Sequence, residues 1–206
     1  MILAWPALLG LLLASVRVRL RGASLQLPQL RALWLVYLAF IPQGIIFYAG
    51  GFADTPNALA AAVLIMSQFL LLCFVWLNRE QAGAWLLGSG VGLNLLVITL
   101  NGGLMPVAPE TLTQLAPHVP VEAWEIGARI DKDVVLPRPA TQLWWLSDCL
   151  LLPSFLPYRV AFSIGDVLLA LGAFQFTWSM GRPAERQRAP LISRKSHEHA
   201  NHYASI

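Results

Sequence analysis

The sequence predicts an all-α protein: an integral membrane bundle of about five transmembrane helices plus one interfacial or re-entrant segment. Three observations lead there. Hydrophobic residues make up 57% of the 206 and charged residues only 12%, about half the charged share of an ordinary soluble domain. The mean hydropathy is +0.61. The charges are also segregated, leaving apolar runs at residues 2–16, 32–50, 58–77, 82–100 and 160–180, near the ~20 residues a spanning helix needs.

The first run is the shortest. No Lys or Arg precedes it, so it lacks the charged start of a cleavable signal peptide and is read as a retained helix. The second contains Pro42 followed by Gln43 and Gly44, which predicts a kink that frees backbone carbonyls. Between the second and third, "GFADTPN" at residues 51–57 reads as a tight turn. The fourth run carries Ala84, Gly88 and Gly92 at four-residue intervals, a small-residue stripe for close helix packing, within the chain or against a partner. A loop at 101–142 follows. Its Asn-Gly-Gly opening ends the fourth helix, its Pro-Glu-Thr-Leu starts a short surface helix through Ala116, and the rest is expected to lie over the membrane face rather than fold alone. The piece at 143–156 is too short to span and is broken by Pro153 and Pro157, hence the interfacial or re-entrant assignment.

Basic residues set the orientation. Alternating sides place Arg17, Arg19, Arg21, Arg31, Arg79, Arg182, Arg186, Arg188, Arg194 and Lys195 on one face, against Arg129, Lys132, Arg138 and Arg159 on the other. The positive-inside rule makes the first face cytoplasmic, with the N-terminus outside and the C-terminus inside a bacterial cytoplasmic membrane. Seven of the eight tryptophans fall at helix ends (Trp34, Trp76, Trp85 and Trp178 inside; Trp5, Trp144 and Trp145 outside), as interfacial belts require. Residues 1–181 thus form the membrane domain and 182–206 a basic cytoplasmic tail, expected to be disordered beside anionic headgroups. The topology puts Cys73 and Cys149 on opposite sides, so they are not expected to pair.

Chemistry narrows to a few polar residues. Asp166 opens the last run as Ser163-x-x-Asp166, a helix-start signature in which the hydroxyl caps and the acid sits in the first turn, facing the bundle. Gln43, Asn94 and Asp166 each lie roughly 9–10 Å inside their helix ends at 1.5 Å per residue. Polar groups at that depth should face one another or a wet cavity, with Asn101, Lys132 and Asp148 closing it from above. Such a set is either interhelical glue or a ligand site. Asp148 either caps a short helix or pairs with Lys132 or Arg159, and Asp148 with Asp166 also admits an aspartic-hydrolase reading.

No phosphate loop, G-x-S-x-G, H-E-x-x-H or CxxC occurs. His197, His199 and His202 have metal-like spacing, but on a tail they are read as incidental, and no histidine lies in a predicted helix to hold haem. The expectation is no metal, no cofactor and no nucleic-acid partner. A non-catalytic accessory subunit packing against a larger membrane complex, or against itself, leads; a small-solute or ion binder comes second and the hydrolase third.

"LNGGLMPV" (100–107), "LWWLSD" (143–148) and "FSIGDVLLALG" (162–172) resemble a bacterial membrane-protein family known as a domain of unknown function. The likeness covers most of residues 1–180. Its pattern has Gly before the first Asp where this chain has Ser147, which weakens a strict backbone role there. The resemblance implies a polytopic bacterial membrane protein and adds no activity.

Overall fold

The computed structural model describes residues 4–21, 27–48, 55–153 and 159–181. These are mostly helical: α1 (Ala4–Arg21), α2 (Trp34–Tyr48), α3 (Asn57–Leu77), α4 (Ala84–Leu100), the short α5 (Pro109–Leu115) and α6 (Ile164–Ser179). Boundaries move where local chemistry overrides hydropathy. α1 runs on to Arg21 because Arg is a strong helix former. α4 starts after Gly83, whose φ of 81° suits glycine. The core of the turn at 51–57 and the tail with His197, His199 and His202 lie outside the described residues.

Two expectations are corrected. The chain is not all-α: β1 (Met105–Val107), β2 (Arg129–Ile130), β3 (Asp133–Val135), β4 (Leu150–Leu151) and β5 (Ala161–Phe162) form two small sheets. The first has the order β1-β3-β2, with β1 parallel and β2 antiparallel to β3. Val107, Leu112 and Val135 make a small core beneath it, so the loop has packing of its own. Met-Pro-Val and Asp-Val-Val are strands too short for periodicity to reveal. The described part of 143–156 holds only a short 3-10 turn and a strand. The turn at Trp144–Leu146 is followed by β4, which pairs antiparallel with β5.

The long helices pack in the spatial order α2, α3, α4, α6, α1. Glycines set the closest approaches. A Cβ on Gly165 would stand 2.0 Å from Asn94 Oδ1 and 2.8 Å from the Gly90 carbonyl, and one on Gly172 would stand 3.0 Å from the Gly83 carbonyl. The α4–α6 contact therefore runs through Gly83 and Gly90 against Gly165 and Gly172. The expected stripe lies elsewhere: Gly88 faces Val75 of α3, and a Cβ on Gly92 would meet nothing within 4 Å. On the other side, Gly10 backs onto Phe174 and Thr177, and Ala14 onto Gly181, so α1 runs parallel to α6.

The principal core joins α3 and α4 to the sheet cap through Leu64, Val97, Ile98, Leu104, Met105 and Leu146. Two asparagines clasp loops at opposite ends of the bundle. At the end of α3, Asn78 accepts from the Arg31 N–H at 2.8 Å and donates to the Arg31 carbonyl at 2.9 Å. At the end of α4, Asn101 accepts from the Gln142 N–H and donates to its carbonyl, both at 2.9 Å. By length and composition one helix among the described residues, Asn57–Leu77, suffices to cross a membrane; α2 and α4 are apolar and shorter.

The packing makes opposite predictions for two glycines. Gly165→Ala should destabilise by about 1–3 kcal/mol, as overpacking does. Gly92→Ala should be neutral or gain up to ~1 kcal/mol from helix propensity. Thermal unfolding of the two purified variants checks both signs.

Candidate functional site

The site is built where the N-terminus of α6 meets α4 beneath the cap. Ser163 caps α6: its hydroxyl accepts from the Asp166 N–H at 3.0 Å, and Asp166 Oδ2 accepts from the Ser163 N–H at 3.0 Å. That reciprocal pair satisfies two amides that a helix start leaves open. The close approach at Gly90 and Gly165 then brings Asn94 of α4 onto the cap. Asn94 Nδ2 donates to Asp166 Oδ1 at 3.2 Å, and Ser163 Oγ lies 2.9 Å from Asn94 Oδ1. Ser163 is fully buried and Asn94 nearly so.

The cap delivers a second cluster from above. The parallel register of β1 and β3 sets Met105 opposite Asp133, and the Met105 N–H donates to the Lys132 carbonyl at 3.2 Å. Lys132 is thereby held just past the end of α4. Its Nζ donates to Asp133 Oδ1 at 2.6 Å and to Asp148 Oδ2 at 2.8 Å. Asp148 is placed by its own N–H on the Pro106 carbonyl at 3.3 Å. Its side chain is 3% exposed against 37% for Lys132, and its Oδ1 is buried with no donor.

Burial sets the electrostatics. It works to lower the Lys132 pKa, but Asp133 and Asp148 outweigh it and hold the ammonium above its ordinary value. Burial raises the Asp148 carboxyl, Lys132 pulls it down, and Asp133 and Asp166 push it up again, to about 7. Asp133 is likewise raised, by burial first, against the pull of Lys132.

A cavity of about 320 Å³ connects the two clusters. Lys132, Asp166 and Asn94 line it together with Gln43 and Gln68, and the rest of its wall is chiefly apolar, including Phe40, Leu87 and Val91. That volume lies at the low end of the range for small-molecule sites. Of the six residues expected around a polar pocket, four line this cavity: Gln43, Asn94, Lys132 and Asp166. Gln43, just after Pro42 within α2, also donates to the Ser67 hydroxyl of α3, which in turn donates to the Leu64 carbonyl at 2.7 Å.

The other two stand apart from the wall. Asp148 lies behind Lys132, and Asn101 is spent on the Gln142 clasp and on the Val97 carbonyl at 2.8 Å. Arg159 donates to the Gln114 carbonyl at 3.2 Å rather than to Asp148. Both cysteines are free, and among the described residues no three acid, His or Cys side chains converge as metal ligands.

Three participants escaped the sequence reading. Asp133 belongs to Asp131-Lys132-Asp133, which looks like a solvated turn. Ser67 and Gln68 interrupt the apolar run of α3, and that interruption was a usable signal.

Two outcomes follow. Ser163→Ala should cost about 1 kcal/mol for the cap, and more for the donor withdrawn from Asn94. The raised Asp148 pKa means that the folded state binds a proton the unfolded state has lost. Its contribution is therefore greatest below the ordinary value of 3.8 and declines as pH rises towards about 7, by at most ~1.4 kcal/mol per pH unit. Thermal unfolding across that window should show the decline in the wild type and a flatter profile in Asp148→Asn.

Comparison with known proteins matches the part of the chain that carries this geometry. The profile of DUF5317, a family of unknown function, matches residues 28–178. A Thermotoga maritima protein named "Uncharacterized protein" is 32% identical over 113 residues, 52% of this chain and 56% of that protein, so the match spans little more than half of its length. No solved structure gives a significant match. The matched range runs from before α2 almost to the end of α6 and includes every residue of the cavity and the cap, and the chain belongs to the DUF5317 family.

Proposed function

We propose that this protein is a polytopic bacterial membrane protein whose helical bundle binds a small, largely apolar ligand with a polar head. The observation that carries the reading is the cavity: a chiefly apolar groove, open along one side, between α2, α3, α4 and α6, whose polar side chains gather from five separate segments. Glue between helices needs no such space. Helices held only by a packed hydrogen-bond network would close over such a groove, because unfilled space between them forfeits contacts.

The membrane setting is supported by what the helices expose. The apolar window of α3 is only 22% buried, whereas a core helix of a soluble protein would be mostly covered. Trp34, Trp76 and Trp85 are exposed at the end away from the cap, and Trp144 and Trp145 at the cap, as two interfacial belts would be. In this reading α1–α4 and α6 span the bilayer, the cap lies outside the cytoplasmic membrane, and the basic tail lies inside.

The binder now stands ahead of the accessory subunit. The open face over Gly92 still favours a packing partner, and a stable complex surviving mild detergent would promote that reading. Hydrolysis draws little support, since Lys132 holds Asp148 while Ser163 and Asn94 hold Asp166.

Native mass spectrometry of the protein extracted in mild detergent tests the binder. Wild type should retain a small lipophilic mass, and Val91→Trp, which fills the chamber, should lose it. A wild type free of any such mass, even after incubation with a total lipid extract of its host, would sink the reading. Topology is tested with single cysteines in a background lacking Cys73 and Cys149. A thiol at Ala123 should react with an impermeant maleimide in intact cells, and one at Glu80 only after permeabilisation. The reverse pattern would invert the orientation, and recovery without detergent would remove the membrane.

A further inference from the structure

The head of the cavity carries Lys132 and Asp166 on its wall and two further acids, Asp133 and Asp148, behind Lys132. Lys132 on the wall is shared between Asp133 and Asp148, and Asp166 on the same wall has hydroxyl and amide partners only. One ammonium thus faces three carboxylates, and these four groups carry two negative charges in excess when all are ionised. Asp131, on the exposed turn, adds to the field at Asp133. Two basic side chains of the cap are engaged elsewhere: the Arg138 guanidinium lies 5.1 Å from the Trp144 ring centre, and Arg159 bonds Gln114. Asp148 is the driest of the acids, and its Oδ1 has no donor at all. A buried carboxylate oxygen without a donor is a place for a proton when positive charge is missing.

Building on the cavity reading above, we propose that the ligand is a lipophilic cation and that the cavity takes it up in exchange for a proton held on Asp148. The chemistry balances as a simple exchange. The cation settles beside Asp166 and the apolar wall, the O–H bond of Asp148 breaks, the proton leaves to water, and the new carboxylate completes its ion pair with Lys132. The charge of the cluster is the same before and after. Lys132 makes the link, because it touches the cavity with one side and Asp148 with the other. The position of the Asp148 carboxyl near neutrality sets the working range, and linkage makes the coupling reciprocal: the cation lowers proton affinity as the proton lowers cation affinity.

A matched pair of probes tests this on the full chain in neutral detergent. Benzyltrimethylammonium carries the charge, and neopentylbenzene is its neutral carbon isostere. Binding is read by saturation-transfer NMR against micelles alone. Cation affinity should rise by up to about thirty-fold between about pH 5.5 and about pH 8 while the neutral probe shows no trend, and Asp166→Asn should weaken the cation selectively. Asp148→Asn should flatten the pH dependence. If that variant does not fold, the wild type alone decides through a pH-indicator dye in weak buffer, where cation binding should release up to about one proton at mildly acid pH and almost none well above neutrality. Cation affinity that is flat in pH, or uptake without proton release, overturns the exchange. Binding of the neutral probe with rejection of the cation overturns the charge assignment and leaves the cavity reading intact. Binding of neither overturns both.

Discussion

The architecture hangs on one steric constraint: α4 and α6 lie so close at Gly90 and Gly165 that neither position has room for a Cβ. Nothing else would carry Asn94 onto the cap of α6. Once there, its carboxamide meets a hydroxyl and a carboxylate whose remaining valences are tied up in the helix start, so the burial of these polar groups is compensated. The close contact also leaves α3 and α2 to span the remaining side of α4, and the chamber opens on that side. Packing and polarity are thus consequences of the same pair of missing side chains.

The cap depends on that frame in turn. β1 follows α4 after only four residues, and its parallel partner β3 brings the 131–133 turn back over the helix end. Parallel pairing across so short a sheet is weak by itself. It is secured by the buried contacts of Val107, Val134 and Val135 and by the closure of Gly103 onto Ala61 of α3. Lys132 is placed by main-chain bonds, and the two acids around it offset the cost of holding an ammonium in a half-dry setting. Asp148 bears the residual strain of that arrangement.

Much of this was legible in the sequence, for physical reasons that vary with the element. Long helices announce themselves through apolar runs, and Ser163-x-x-Asp166 marked the start of α6 because capping is a local interaction between residues three apart. Lys132 and Asp148 were named as possible partners, since a buried acid needs a cation. The strands were invisible: two- and three-residue segments have no period, and the parallel pairing of β1 with β3 joins Met105 to Asp133 across the whole intervening loop. The glycines of the α4–α6 contact went unread for a related reason. Four-residue spacing made Ala84, Gly88 and Gly92 conspicuous, yet the helices meet along Gly83 and Gly90, seven residues apart. A single sequence does not say which face of a uniformly apolar helix turns inward.

The asparagine clasp at the end of α4 has a chemical consequence. Asn101 is followed by Gly102, and an Asn-Gly pair is prone to lose its side-chain amide when the next main-chain nitrogen attacks the carboxamide carbon through a succinimide. Here that carboxamide is gripped by Gln142 on both its oxygen and its nitrogen and by the Val97 carbonyl, which holds it away from the attack geometry. Release of the loop removes the protection. Conversion to aspartate would then place an acceptor where the Val97 and Gln142 carbonyls need a donor, and the loop could not close again as before. Asn101 thus works as a molecular clock on the cap: the fraction deamidated in an ageing sample records how often that end of the bundle has opened.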